Sequence, residues 1–242
     1  MKGRIPAMND DIVLKMRGCL GKWARRSWVL GVLLFATTAA AQTGSIAGTI
    51  TTTAKSTGAV RVTIDQKACG SELPDEAISV DAQGHLANAV VILTGVKRPG
   101  NAETIVTNEK CRFGPRVQIV RPNATVKTTS KDAVLHTTQA QLDSGKIVFN
   151  VALPVPGITL SKPIGATGPV RLSCNTHPWM RGWMIVTDEA AAVSAADGRF
   201  RIDNVPPGNY ELRVWHESLK GAPQKITVVA SKPTAINFQL KQ

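Results

Sequence analysis

The 242-residue sequence predicts an all-β fold of the sandwich type. Three observations predict it. From Gly44 onward, helical periodicity is almost absent. Short stretches alternate apolar and polar residues. Gly/Pro-rich turns separate those stretches at regular intervals. Gly44-Ser45-Ile46-Ala47-Gly48-Thr49-Ile50 and Ala89-Val90-Val91-Ile92-Leu93 read as early strands. Residues 148–153 and 183–186 are more continuously apolar, as a strand covered on both faces is. Residues 157–169 carry repeated Gly and Pro without alternation and read as a loop leading into the strand Val170-Arg171-Leu172-Ser173. Near the end, Phe200-Arg201-Ile202, Tyr210-Glu211-Leu212-Arg213-Val214, Ile226-Thr227-Val228 and Ile236-Asn237-Phe238-Gln239-Leu240 alternate as half-buried strands do. Asp197-Gly198 and Pro206-Pro207-Gly208-Asn209 supply turns between them.

The first 41 residues read differently. Arg25 and Arg26 precede a short apolar run, residues 28–35, and small residues continue to Ala39-Ala40-Ala41. A basic segment, a short hydrophobic segment and an A-x-A site form a signal peptide, expected to be cleaved after Ala41. The run is too short for a membrane span, which needs about 20 apolar residues. Met16, or else Met8, would open a leader of more usual length. Arg25-Arg26 followed by Ser27-Trp28-Val29 is a partial twin-arginine match, and the ordinary secretory route is expected. Cys19 precedes the hydrophobic run and cannot serve as a lipid anchor. The expected location is periplasmic or secreted, with no membrane attachment after cleavage.

The leader holds seven of the 29 Lys/Arg and two of the 17 Asp/Glu, which leaves a net charge of +7 on the remainder. That charge is dispersed, with no basic run and one Tyr, Tyr210, so nucleic-acid binding is not expected. No nucleophile elbow or phosphate loop occurs, and an enzyme is not expected.

Three cysteines follow the leader: Cys69, Cys111 and Cys174. Export favours disulfides, and an odd count leaves one thiol needing another role. Cys174-Asn175-Thr176-His177-Pro178-Trp179-Met180 follows a strand and reads Cys-x-x-His-x-x-Met. Type 1 copper sites take two imidazoles and a thiolate in a plane, with a long axial Met. His136, after Val134-Leu135, is the natural second imidazole. The expected ligands of one copper per chain are therefore His136, Cys174, His177 and Met180. Met184 is the rival axial donor and is expected to be a core residue. Zinc would favour a carboxylate or water over a thioether. His85, beside Gln83-Gly84, and His216 are expected to be ordinary histidines.

Two resemblances add to this reading. The pattern from Ala196 to Val214, with Gly44 to Ile50 as an opening strand, resembles the carboxypeptidase regulatory-like domain, a small transthyretin-like β-sandwich. Residues from about 107 to 187, with Cys111-Arg112-Phe113-Gly114-Pro115, Val134-Leu135-His136 and the Cys174 loop, resemble a cupredoxin with the amicyanin-type ligand spacing. The resemblance implies a Greek-key cupredoxin sandwich at 98–187, inserted into a regulatory-like sandwich made from 42–97 and 188–242. Three consecutive β units without splitting are the alternative. With Cys174 on the metal, Cys69 and Cys111 are left to pair, the alternative being two separate buried thiols. Cupredoxins usually carry Asn beside the first His. This sequence does not, and either Ser130 or Thr137 is expected to replace it.

The implied function is single-electron transfer, with His177 giving the electron an exit through a solvent-facing edge. Trp179 and Arg181 are candidates for docking a redox partner, such as a cytochrome or a copper or quinoprotein enzyme. Trp179 packed inward is the plainer reading. A copper-holding or delivery protein is one rival. A structural or glycan-interacting module with a non-redox metal site is the other.

Overall fold

The structure, a computed structural model, describes residues 42–242. The segment read as a signal peptide, its expected cleavage site, the expected start methionine and Cys19 lie outside the described residues. Chain order runs β1 (Gly44–Thr52), β2 (Ala59–Arg61), α1 (Gln66–Cys69), β3 (Glu72–Pro74), β4 (Val90–Lys97), β5 (Glu103–Glu109), β6 (Arg112–Gly114) and β7 (Val117–Val120). It continues with β8 (Thr125–Ser130), β9 (His136–Leu142), β10 (Ile147–Leu153), β11 (Thr159–Pro163), β12 (Gly168–Ser173) and β13 (Arg181–Val186). The last six strands are β14 (Glu189–Val193), β15 (Arg199–Val205), β16 (Gly208–Trp215), β17 (Gln224–Val228), β18 (Pro233–Ala235) and β19 (Phe238–Leu240). The expected all-β class is what forms.

One sandwich draws on both ends of the described chain. Its sheets are β15–β1–β18, with β19 also on β1, and β14–β4–β16–β17. Period-2 patterning explains why these strands face one another. Phe200 and Ile202 turn inward between exposed Arg199, Arg201 and Asp203, and Phe238 and Leu240 flank exposed Gln239. They meet Ile46, Ile50, Val91, Leu93 and Leu212 in one core. Gly48 of β1 has no tolerable alternative, because the Ile236 carbonyl occupies the space a Cβ would need.

The second sandwich is central in sequence. Its sheets are β10–β9–β12–β13–β7 and β11–β8–β5–β6, with β5 parallel to β8 and β13 parallel to β7. The chain crosses from one sheet to the other between β6 and β7, β7 and β8, β8 and β9, β10 and β11, and β11 and β12, as in the Greek-key sandwich that the resemblance implied. Val106, Phe113, Val126, Ala140, Leu172 and Met184 fill the space between them.

Three details differ from the sequence reading. The stretch read as a loop contains β11, an edge strand paired with β8. Its side chains are nearly all exposed, so no core face imposed alternation, and Pro163 closes it at an edge position where proline is tolerated. Residues 148–153 are not covered on both faces: Phe149, Val151 and Leu153 are buried while Asn150 and Ala152 are exposed. This is an edge strand with one buried face. Finally, the boundary at residue 97 assigned residues 59–74 to the regulatory-like sandwich. Val62, Cys69 and Leu73 instead pack into the central core, and only a short β2–β3 pairing and four helical residues hold the segment locally. So brief a segment has no periodicity from which to read its partner.

The two sandwiches meet face to face. Val90 and Ile92 of β4 pack with Val117 and Ile119 of β7 and with Trp183 and Ile185 of β13. Their neighbours Val91, Leu93, Val120, Met184 and Val186 point into the two separate cores. Residues 183–186 are therefore apolar on successive positions because both faces of β13 are covered, as the sequence reading expected. Trp183 and Trp215 close the contact edge-on, with ring centroids 5.2 Å apart.

A charged group lies within this junction. The Arg116 guanidinium, 8% exposed, pairs with the Glu217 carboxylate, 9% exposed, and donates to the Arg181 carbonyl at 2.8 Å. His216 is buried beside them, and its Nδ1 accepts a bond from the Ser218 amide. Burial, and then the Arg116 charge, push its pKa down to about 4. An unfolded chain protonates this group near pH 6.5. Between the two values the unfolded state binds more protons, so the His216 contribution is complete above about pH 6.5 and is lost as pH falls toward 4. The expected loss is about 3 kcal/mol at most. Urea unfolding measured from pH 7 to 4 should show it, and His216→Asn should flatten that part of the profile.

Candidate metal centre

The site lies at one end of the central sandwich, where three segments converge. His136 opens β9, Cys174 follows β12, and His177 and Met180 occupy the turn before β13. The turn is closed by the Met180 amide, which donates to the His177 carbonyl at 2.9 Å. His136 and His177 are fully buried, and Cys174 and Met180 nearly so. Cys174 is the free cysteine among the described residues. Met180 belongs to the same buried cluster as Cys174. Met184 lies within β13, opposite Val170 and Gln118, as a strand residue of that core.

The nitrogen and sulfur atoms converge. His136 Nδ1 and His177 Nδ1 are 3.0 Å apart, and Cys174 Sγ is 3.9 and 3.7 Å from them. Metal bonds of about 2.0 Å to nitrogen and about 2.3 Å to thiolate sulfur span distances of this size. The donor set of two imidazoles and a soft thiolate suits copper, and Met180 adds a thioether on the same loop. The residues present therefore fit the ion.

What lies behind each imidazole sharpens this. His136 Nε2 is 2.9 Å from Asp132 Oδ2, and His177 Nε2 is 3.0 Å from Asp65 Oδ2. A carboxylate only accepts, so each Nε2 carries a proton, and in the neutral imidazole Nδ1 then keeps its lone pair. Two lone pairs and a sulfur then face one another in a space closed to water. Such a cluster calls for a cation, whether metal or proton. Burial alone would lower the His136 pKa, but its hydrogen bonds to Cys174 and Asp132 outweigh it and raise it. Burial would raise the Cys174 thiol. Hydrogen bonds from His136, the Thr137 amide and the His177 backbone pull it down to about 6, which favours the thiolate that metals bind.

Between the two alternatives for the residue beside the first His, the structure selects Thr137. Its hydroxyl accepts the Asn175 amide at 2.7 Å, and its own amide donates to Cys174 Sγ at 3.3 Å. Thr137 thus ties β9 to the loop beneath the cysteine. Ser130 instead bonds within its own turn, accepting the Asp132 amide.

Cys69 and Cys111 form a disulfide, with Cα atoms 5.3 Å apart. Both sulfurs and a ring nitrogen of His177 lie within 4.8 Å of one another. The disulfide lies between the two acidic residues: the Cys111 amide donates to the Asp132 carboxylate at 2.8 Å, and the Cys69 amide donates to the Asp65 main-chain carbonyl at 2.9 Å.

The expectation of a solvent-facing His177 edge is overturned. His177 is fully buried. Asp65 caps its outer nitrogen, and the Trp179 ring packs on it with centroids 5.1 Å apart. The segment carrying Asp65 folds over the place where the edge would open. Trp179 is half-buried, so it is neither a bare docking side chain nor fully inside. Trp179 and Arg181 border a cavity of about 320 Å3, lined also by Arg61, Arg112 and Arg116 and by Asp75 and Glu76. The sequence reading missed Asp65 and Asp132. Asp132 had a usable signal, four residues before His136; Asp65, 112 residues before His177, had none.

Residues 184–241 match the family model of the carboxypeptidase regulatory-like domain. The match covers the C-terminal strands of the first sandwich. No curated protein matches the chain at a significant level. Among solved structures, a purple cupredoxin from Nitrosopumilus maritimus is 24% identical, covering 36% of this chain and all of its own, with a TM-score of 0.31. A reduced, Cu(I) form of an amicyanin variant is 16% identical, covering 40% of this chain and 98% of its own, with a TM-score of 0.31. A copper-containing nitrite reductase from Thermus scotoductus is 19% identical over 39% of this chain and 24% of its own, with a TM-score of 0.30. At scores this low, the architecture of the central unit rests on its sheet order, and the metal centre on its donor geometry.

Proposed function

We propose that this is an exported type 1 copper protein that carries single electrons. The observation that carries the proposal is the buried set of His136 Nδ1, Cys174 Sγ and His177 Nδ1, with the outer nitrogens of both histidines held by carboxylates. Copper, when bound, supplies a Cu(I)/Cu(II) couple. Cys174 would offer the thiolate, and Met180 a weak thioether donor that would tune the potential. Thr137 and the two carboxylates keep the donors from moving when the charge changes, which lowers reorganisation. All four positions are protein side chains and leave no place for substrate, so the reading is of a carrier and not an enzyme.

The electron would pass on the side of Trp179 and Arg181, since Asp65 covers the His177 edge. A redox protein, such as a cytochrome or a copper or quinoprotein enzyme, would dock there. The periplasm or the exterior, where a disulfide persists, is the matching compartment. No nucleic-acid or membrane partner is proposed.

One observation favours a second reading. A site sealed under Asp65 suits a protein that holds or delivers copper. Voltammetry of the copper-loaded protein separates the two. Electron transfer predicts a reversible wave at an accessible potential. An irreversible or absent response, with copper still bound, would favour holding.

A further inference from the structure

We propose that Asp65 is a positioning residue for the metal centre: its carboxylate fixes His177 as the Nε2–H tautomer and closes the outer edge of the site. The inference deepens the copper reading, and only its metal-release arm depends on that reading.

Four observations carry it. The Asp65 Oδ2 to His177 Nε2 distance is 3.0 Å, and His177 is fully buried behind it. Asp65 stands at the N-terminal end of α1, where an Asp side chain ordinarily accepts backbone amides. Here it makes no such bond and is committed to His177 instead. Its backbone is in the left-handed region, with φ 52°, a conformation Asp tolerates better than most residues and one that marks sites under constraint. Lastly, α1 is anchored on both sides of the site: Cys69 is bonded to Cys111, and Val62 and Cys69 are buried in the central core. The carboxylate is therefore held at His177 by the fold, not by chance contact of a surface loop.

The chemistry is a matter of lone pairs. A neutral imidazole has one N–H and one lone pair, on either nitrogen. With Nε2–H given to Asp65, the Nδ1 lone pair faces His136 and Cys174. Without that acceptor, the proton is free to occupy Nδ1 and spoil the donor set. Partners of this kind behind ligating histidines typically change metal affinity by about 10- to 100-fold when removed.

Two variants separate the carboxylate from the backbone. Asp65→Gly keeps the left-handed conformation without strain and removes the acceptor. Asp65→Asn keeps an acceptor oxygen and also tolerates that conformation. In metal-free, 15N-labelled protein, long-range imidazole spectra should show His177 as the Nε2–H tautomer in the native chain and in Asp65→Asn, and as a mixture in Asp65→Gly. In protein loaded with Cu(I), transfer to an external chelator should be about 10-fold faster or more in Asp65→Gly, and within a few fold of native in Asp65→Asn. An unchanged His177 tautomer in Asp65→Gly overturns the proposal, whatever the metal does. Failure of the native protein to bind copper would sink the copper reading alone, and the tautomer comparison would still decide the role of Asp65.

Discussion

Arg116→Ala is expected to destabilise the protein by about 3–5 kcal/mol, because it leaves the buried Glu217 carboxylate without its counter-charge. Both groups are more than nine-tenths buried between the two sandwiches. Taking two charges out of water costs several kcal/mol each, so their pairing does little beyond repaying that cost. Removing one partner leaves the cost of the other in place. The Arg181 carbonyl would lose a donor as well, at the start of β13 beside the metal loop. For a chain of this size the loss should lower the melting temperature by roughly 6–20 °C. The double variant Arg116→Met/Glu217→Leu should recover most of it, since neither charge then remains buried. Urea unfolding of the two single variants and the double variant checks this. Equal, additive losses would mean that the pair is not coupled and that the junction rests on Val90, Val117, Ile185 and the two tryptophans alone.

The second large effect concerns the disulfide. Cys69 and Cys111 are 42 residues apart, and a loop of that length constrains the unfolded chain by about 4 kcal/mol in the chain-entropy description. Cys69→Ala/Cys111→Ala should therefore lose about 2–5 kcal/mol. The bridge also carries α1, so its loss frees the segment that places Asp65 over His177. Thiol titration of the denatured, metal-free chain from residue 42 onward should find one free cysteine, Cys174. Three free thiols, or a variant as stable as the native protein, would contradict this account.

How much of this was legible in the sequence depends on how locally each feature is encoded. Phe200, Ile202, Phe238 and Leu240 announce their strands because one covered face imposes period 2. β11 does not, because an exposed edge strand has no face to mark. Cys174, His177 and Met180 are close in sequence and carry their chemistry in their spacing. Only the choice of His136 as the fourth residue required a longer reach. The disulfide followed from counting thiols once Cys174 had another use. Its position against His177, and that of Asp65, could not follow, because they depend on a short segment crossing from one sandwich to the other. The expected exposed edge of His177 failed for the same reason. Thr137 was one of two alternatives, and only the loop geometry beneath Cys174 distinguishes it from Ser130.

The central claim is that Cys174, His136 and His177 bind copper as a type 1 site. Adding Cu(II) to the purified chain and recording visible absorption and electron paramagnetic resonance tests it most directly. An intense charge-transfer band with a small copper hyperfine splitting, lost in Cys174→Ser, is the expected result. A pale, ordinary Cu(II) spectrum that Cys174→Ser leaves unchanged would contradict it.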